Sequence, residues 1–151
     1  MLAVRGAGEN LPLRNGAVGA VVMVATLCFA TDPARLLAEA ARVLWPGGRL
    51  VLGLVPLDSA WGRSYAQRGR SGHPFYRHAR FLTLEDHRRL LVATGLQVVD
   101  GRSTLFQSPD DAPTAEPLRH GLLGGAGFVG IAATRDDAED PDTSAHDWDL
   151  A

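Results

Sequence analysis

From Val18 to Phe29 the chain reads VGAVVMVATLCF, a run without charge and rich in β-branched side chains. A strand covered on both faces has this pattern, so the run predicts a buried, central strand. Polar positions then enter with helical spacing. Asp32 stands where a cap belongs and Pro33 where the first turn loses nothing by lacking an N–H. Leu36, Ala40, Val43 and Leu44 follow on one face, with Arg35, Glu39 and Arg42 turned outward. Pro46, Gly47 and Gly48 stop this helix and reverse the chain, and Leu50 to Val55 is again continuously apolar. Strand, helix and strand make one βαβ unit. Its parallel pairing needs a right-handed crossover and helices on the sheet, which points to an open α/β fold.

Beyond the unit the pattern loosens. Pro56 to Ser71 is polar and reads as a loop, with Asp58, Trp61, Arg63 and Tyr65 interleaved. Phe75, Tyr76, Arg77, Arg80 and Phe81 then form an aromatic and cationic cluster. Loops on a rigid scaffold carry function, so these residues could build a pocket for a small, partly apolar substrate, with an Arg holding an acidic group. They could equally form a lid whose rings pack on the sheet. Trp61, Tyr65 and Tyr76 are the pocket candidates. Thr83 can cap a helix from Leu84 to Thr94, with Glu85 and Asp86 in the first turn. Gly95 ends it, and Leu96 to Val99 opens another strand. Ser108 to Pro117 is a Pro- and Asp-rich loop, and Phe128 to Thr134 is the last strand. Gly125 to Gly130 contains G-x-G-x-x-G, but a strand follows it and not a helix. It reads as a glycine-rich turn into an edge hairpin, not as a dinucleotide loop.

Composition narrows the class. A chain of 151 residues with 46% hydrophobic residues suits one soluble domain, here 1–135, followed by an acidic, aperiodic tail over 136–151 that reads as disordered. A net charge of −2 gives no bulk field to recruit nucleic acid or an anionic membrane. The uncharged run Gly16 to Thr31 is short of the ~20 residues of a membrane helix. The lone Cys28 allows no internal disulfide and suits a reducing, cytoplasmic setting. Its thiol is either a nucleophile or a small buried side chain. His73 and His78 lack a Cys or carboxylate at ligand spacing, so no metal site is expected. No triad or carboxylate pair stands out, and no catalytic residue is assigned.

The order GENLPLRNG, a strand ending TLCF, DPARLLAEAARVLWPGGRLVLG, DSAWGRSY and FYRHARF resembles the later portion of a class I S-adenosylmethionine-dependent methyltransferase. Within that superfamily it is most similar to the small-molecule type 11 group, over roughly Val4 to Ala133. The resemblance implies a partial Rossmann-like sheet, strands four to seven of an order third, second, first, fourth, fifth, seventh, sixth, with Leu2 to Val4 a remnant of the third. It implies methyl transfer from S-adenosylmethionine to a small molecule. The loop before the first long strand would lie over the adenine, placing Gly8, Glu9 and Asn10 around the base. The family's acidic position there falls on Ala7, and Glu9 is either a cofactor contact or a solvated carboxylate. Ala25, Thr26 and Leu27 would lie beside the methionine part and the transferred methyl, with Thr26 bonding there or to a neighbouring carbonyl. The aromatic-Asp pair that often opens this strand stands here as Val18-Gly19.

The family's glycine-rich loop and ribose-binding acid would both precede Met1. The strand Val21 to Leu27, central in the family, would then be an edge, a template for self-association or for a missing N-terminal half. Displacement at a sulfonium needs proximity and alignment, not a protein nucleophile. A non-catalytic module pairing through residues 21–27 is the alternative.

Overall fold

The computed structural model describes Ala3 and residues 5–135. Leu2 and Val4 of the expected strand remnant, and all of the tail 136–151, lie outside the described residues. The βαβ unit is present: β1 (Val18–Val24) pairs parallel with β2 (Leu44–Leu54), joined by α1 (Pro33–Val43). The Asp32 carboxylate caps α1 by accepting the Arg35 N–H at 3.0 Å, and Pro33 sits in the first turn. Leu36, Leu37, Ala40 and Val43 are its buried stripe.

Three local expectations are corrected. β1 ends at Val24 and not at Leu27, because Ala25 takes a left-handed φ of 50° that turns the chain out of the sheet. Leu27–Phe29 then wind one 3-10 turn that sends Leu27 into the core. β2 starts directly after α1: Leu44 pairs with Val18 and Arg49 with Ala20, so the residues between bulge out of the ladder. Trp45 in that bulge lies on Gly19, where a Cβ would stand 2.4 Å from Trp45 Cζ2. Finally, the expected loop at 56–71 contains α2 (Ala60–Arg70). Ser59 caps it, accepting the Gly62 N–H at 2.9 Å and donating to the Pro56 carbonyl at 2.7 Å. Few apolar residues and two glycines, Gly62 and Gly69, hide its helical period.

α3 (Leu84–Ala93) has a full capping box between Thr83 and Asp86. β3 (Leu96–Thr104), the two-residue β4 (Arg119–His120) and β5 (Phe128–Arg135) complete a sheet of order β1-β2-β5-β3-β4. β5 runs antiparallel between β2 and β3, so the glycine-rich run leads into an interior strand and not into an edge hairpin. Leu50, Leu52 and Leu54 register with Ala133, Ile131 and Val129, and this face packs with α1 and α3 into one core. The opposite face aligns Val22, Val51 and Ala132 in one row and Val24, Gly53 and Gly130 in the next. Val22 and Val24 there remain 67% and 58% exposed. Among the described residues β1 pairs with β2 alone, so the apolar edge expected of this strand exists over Val18–Val24. No helix among the described residues is long and apolar enough to cross a membrane.

Candidate functional site

Arg42 ties the loop before β1 to α1. All five of its guanidinium N–H groups find acceptors. Nε and Nη2 grip the Glu39 carboxylate at 2.7 and 2.8 Å, Nη1 reaches the Leu13 carbonyl at 2.8 Å and Asn15 Oδ1 at 2.9 Å, and Nη2 also reaches the Leu11 carbonyl at 3.2 Å. Glu39 accepts the Leu11 N–H as well, at 2.8 Å. The bonds from Arg42, then that from Leu11, hold the Glu39 carboxyl down to about 2. Two side chains expected to face water therefore clamp a loop. Further up, Arg35 Nε donates to the Glu9 carbonyl at 3.0 Å, and Glu9 Oε1 accepts the Thr31 N–H at 3.2 Å. The Glu9 carboxylate is thus a strut to the segment after the 3-10 turn. Asn10 donates its N–H to the Ala7 carbonyl at 3.0 Å, and Gly8 packs where a Cβ would meet Leu36 Cδ1 at 2.6 Å.

Just before that segment, Ala25, Cys28 and Phe29 wall an apolar cavity of about 140 Å³ at the carboxyl end of β1. Ligands collect at this end of parallel strands. Tyr65 on α2 stacks on Tyr76 with centroids 4.6 Å apart and planes 16° off parallel. Phe75 stands edge-on to Tyr76 at 5.4 Å and to Phe29 at 5.0 Å. Two of the expected pocket residues, Tyr65 and Tyr76, therefore meet Ala25, one of the residues expected beside the cofactor. Phe29 and Val55 also line the cavity and were not anticipated. Their only signal was position, just past the ends of two adjacent parallel strands. Arg77 and Arg80 do not line it. Cys28 does, its Sγ 3.5 Å from the Ala25 carbonyl. Burial pushes its thiol up, so it is a protonated wall group at neutral pH and not a thiolate nucleophile.

The remaining candidates sit elsewhere. Trp61 lies behind the cavity: its Nε1 donates to the Gln107 carbonyl at 2.9 Å and its ring meets Tyr65 edge-on at 6.0 Å. A Cβ on Gly127 would stand 2.2 Å from Trp61 Cδ1, so glycine is required there for the indole to lie flat. Thr26 Oγ1 donates to the Val24 carbonyl at 3.2 Å, the local alternative for that hydroxyl. Leu27 is 2% exposed and spends its side chain in the core. His73 Nδ1 accepts the Phe75 N–H at 3.3 Å, and His78 Nε2 accepts from Arg77 Nε at 2.9 Å. Among the described residues no group of three or more His, Cys, Asp or Glu could hold a metal ion. His87 escaped sequence reading. It is buried on α3 with Nδ1 2.7 Å from the Thr83 carbonyl, and burial lowers its pKa.

The type 11 family model, described as a methyltransferase domain, matches residues 2–52. A solved S-adenosylmethionine-dependent methyltransferase of Thermotoga maritima, described as a possible histamine N-methyltransferase, superposes with a TM-score of 0.79 at 36% identity. That likeness covers 88% of this chain and 63% of the other. Residues 2–52 thus resemble the type 11 methyltransferase family, and the fold over most of the chain is that of an S-adenosylmethionine-dependent methyltransferase. An uncharacterised protein of Mycobacterium tuberculosis is 42% identical over 142 residues, 93% of this chain and 50% of its own length. The chain thus spans about half the length of such curated relatives. A geranyl diphosphate C-methyltransferase of Streptomyces coelicolor, solved with S-adenosyl-L-homocysteine, shares the fold at 18% identity and a TM-score of 0.58. The sheet order fits the family's strands four to seven, with β1, β2, β5 and β3 as the fourth, fifth, seventh and sixth.

Proposed function

We propose that this chain supplies the acceptor side and the adenine-side loop of a methyltransferase that moves a methyl group from S-adenosylmethionine to a small molecule. The observation that carries the reading is the cavity at the carboxyl end of β1, which brings Ala25 together with Tyr65 and Tyr76. When bound, the cofactor supplies an electrophilic sulfonium methyl. The residues present fit its two ends in part. The loop is fixed by Arg35, Glu39 and Arg42, and the Gly8 carbonyl and Asn10 side chain would frame the base, since Ala7 offers no acceptor and Glu9 is engaged with Thr31. Ala25 lines the cavity with no side chain larger than a methyl group, which leaves room for a transferred methyl. Alignment of an acceptor lone pair against that wall is the protein's task, and Cys28 need not react.

The unpaired β1 edge and the exposed Val22 and Val24 favour a partner beside β1, either the part of its longer relatives that this chain does not span or a second copy of this chain. If the chain never completes a cofactor site, the same edge makes it a non-catalytic module. Calorimetric titration of S-adenosyl-L-homocysteine into the purified chain, with its mass in solution measured alongside, separates these readings. Saturable heat supports the enzyme. A folded chain that gives no heat, alone or with the remaining part of a longer relative, refutes it.

A further inference from the structure

We infer that the cavity beside Ala25 receives an uncharged, apolar group the size of a single aromatic ring, carried by the molecule to be methylated. The role of acceptor rests on the methyl-transfer reading; the chemistry of the ligand rests on the cavity alone. Its volume of about 140 Å³ is close to that of apolar protein cavities, roughly 150 Å³, that stay dry and take up benzene. Its shape suits a flat group. Phe75 stands perpendicular to Tyr76, at 85°, and Phe29 lies at 71° to Phe75, so edges and faces alternate around the walls as aromatic packing prefers.

Charge decides the rest. No ionised side chain lines this cavity among the described residues. Cations stand around the cavity and not in its lining: the Arg68 guanidinium lies over the Tyr65 ring, 5.9 Å from its centroid, and Arg70 and Arg77 line a separate hollow of about 310 Å³ that shares Tyr76 and Phe81 with the first. A carboxylate entering between the rings would shed its water and meet no counter-charge, which strongly disfavours its ionised form. Cys28 and Tyr65, both pushed up by burial, add neutral groups to the wall. The arginines of the cluster therefore do not select an acidic substrate here. With the ring held by Phe75 and Phe81, a short substituent would present its reacting atom toward Ala25.

The test uses the whole chain and three ring probes of similar size, benzyl alcohol, benzoate and benzylammonium, titrated at pH 7 by saturation-transfer NMR. Benzyl alcohol is expected to saturate, with both ions at least fivefold weaker. Val55→Phe, which fills the cavity, is expected to weaken benzyl alcohol at least tenfold while circular dichroism stays native; Cys28→Leu, at another lining position, does the same should Val55→Phe not fold. Equal or tighter binding of either ion, absence of binding by benzyl alcohol, or indifference to a folded filling variant overturns the proposal. Titration of S-adenosyl-L-homocysteine stays separate. A chain that binds the ring and does not bind the cofactor, alone or with the remaining part of a longer relative, keeps the cavity assignment and loses the methyl-transfer reading; the converse result does the opposite.

Discussion

Gly62 offers a test in which two physical effects oppose each other. In an exposed helix interior, Gly→Ala gains about 1 kcal/mol of helix propensity. On α2, however, a Cβ at Gly62 would stand 2.0 Å from the Pro56 carbonyl oxygen, 2.7 Å from its carbon and 2.8 Å from Leu57 Cα. All three atoms are main chain and cannot swing aside like a flexible side chain. The oxygen is also fixed by Ser59, whose Oγ and N–H reach it at 2.7 and 3.1 Å. Relief requires α2 and residues 56–57 to part by over ~1 Å. That is overpacking at ~1–3 kcal/mol plus strain on a cap worth ~1 kcal/mol, against the ~1 kcal/mol gained. Gly62→Ala should therefore destabilise by about 1–3 kcal/mol, read as a lower urea midpoint at unchanged m-value. Gly124→Ala, where an added Cβ meets nothing within 4 Å, should shift stability by under ~0.5 kcal/mol. Because Tyr65 rides on the same helix, benzyl alcohol should also bind more weakly to Gly62→Ala. A Gly62→Ala chain as stable as the parent would refute the steric reasoning and the placement of α2 with it.

Leu37 is fully buried between α1 and the sheet, and Leu37→Ala should cost about 2–5 kcal/mol in the same urea assay, with the upper half of that range expected if the hole cannot collapse. Thr83→Ala removes one arm of the α3 capping box and should cost about 1 kcal/mol, with amide exchange in the first turn of α3 accelerating before that of β2. Stability should fall in two acid steps. His87 is held below its ordinary 6.5 by burial, so below that pH the unfolded chain takes up a proton that the folded chain resists, and His87→Gln should remove this first loss. Glu39, held near 2 against an ordinary 4.5, contributes stability that is present above 4.5 and lost as pH falls toward 2, and Glu39→Gln should flatten that second loss.

Signals that are local in sequence were legible. The Asp32-Pro33 start of α1, the Thr83 start of α3 and the apolar runs of β1 and β2 each depend on residues within one turn or one strand of each other; both helix starts stand where expected and both strands form, β1 ending and β2 beginning earlier than expected. What stayed hidden depends on contacts between distant segments. Glu39 and Arg42 lie on the polar side of α1 by spacing alone; only the loop 11–15 folding over them turns that side inward. β1 reads as an apolar run through Leu27, yet the left-handed Ala25 ends it, and no residue type announces that turn.

The candidate site divides along the same line. Trp61, Tyr65 and Tyr76 could be grouped because aromatic residues crowd that stretch, but which rings face a cavity and which serve as backing depends on glycines placed elsewhere. Gly127 lets the Trp61 indole lie against the turn that enters β5 and directs its Nε1 to Gln107. Gly62 lets α2 close on Pro56, which sets where Tyr65 meets Tyr76. Each glycine is defined by the atom that fills the space of its missing Cβ, and in the first case that atom belongs to a residue far away in the chain. Trp61 thereby becomes a positioning residue for Tyr65, while Ala25, Phe29 and Val55 enter the cavity only because β1 and β2 end side by side. The aromatic stretch thus supplies the rings, and the parallel pair supplies the place where they enclose a cavity.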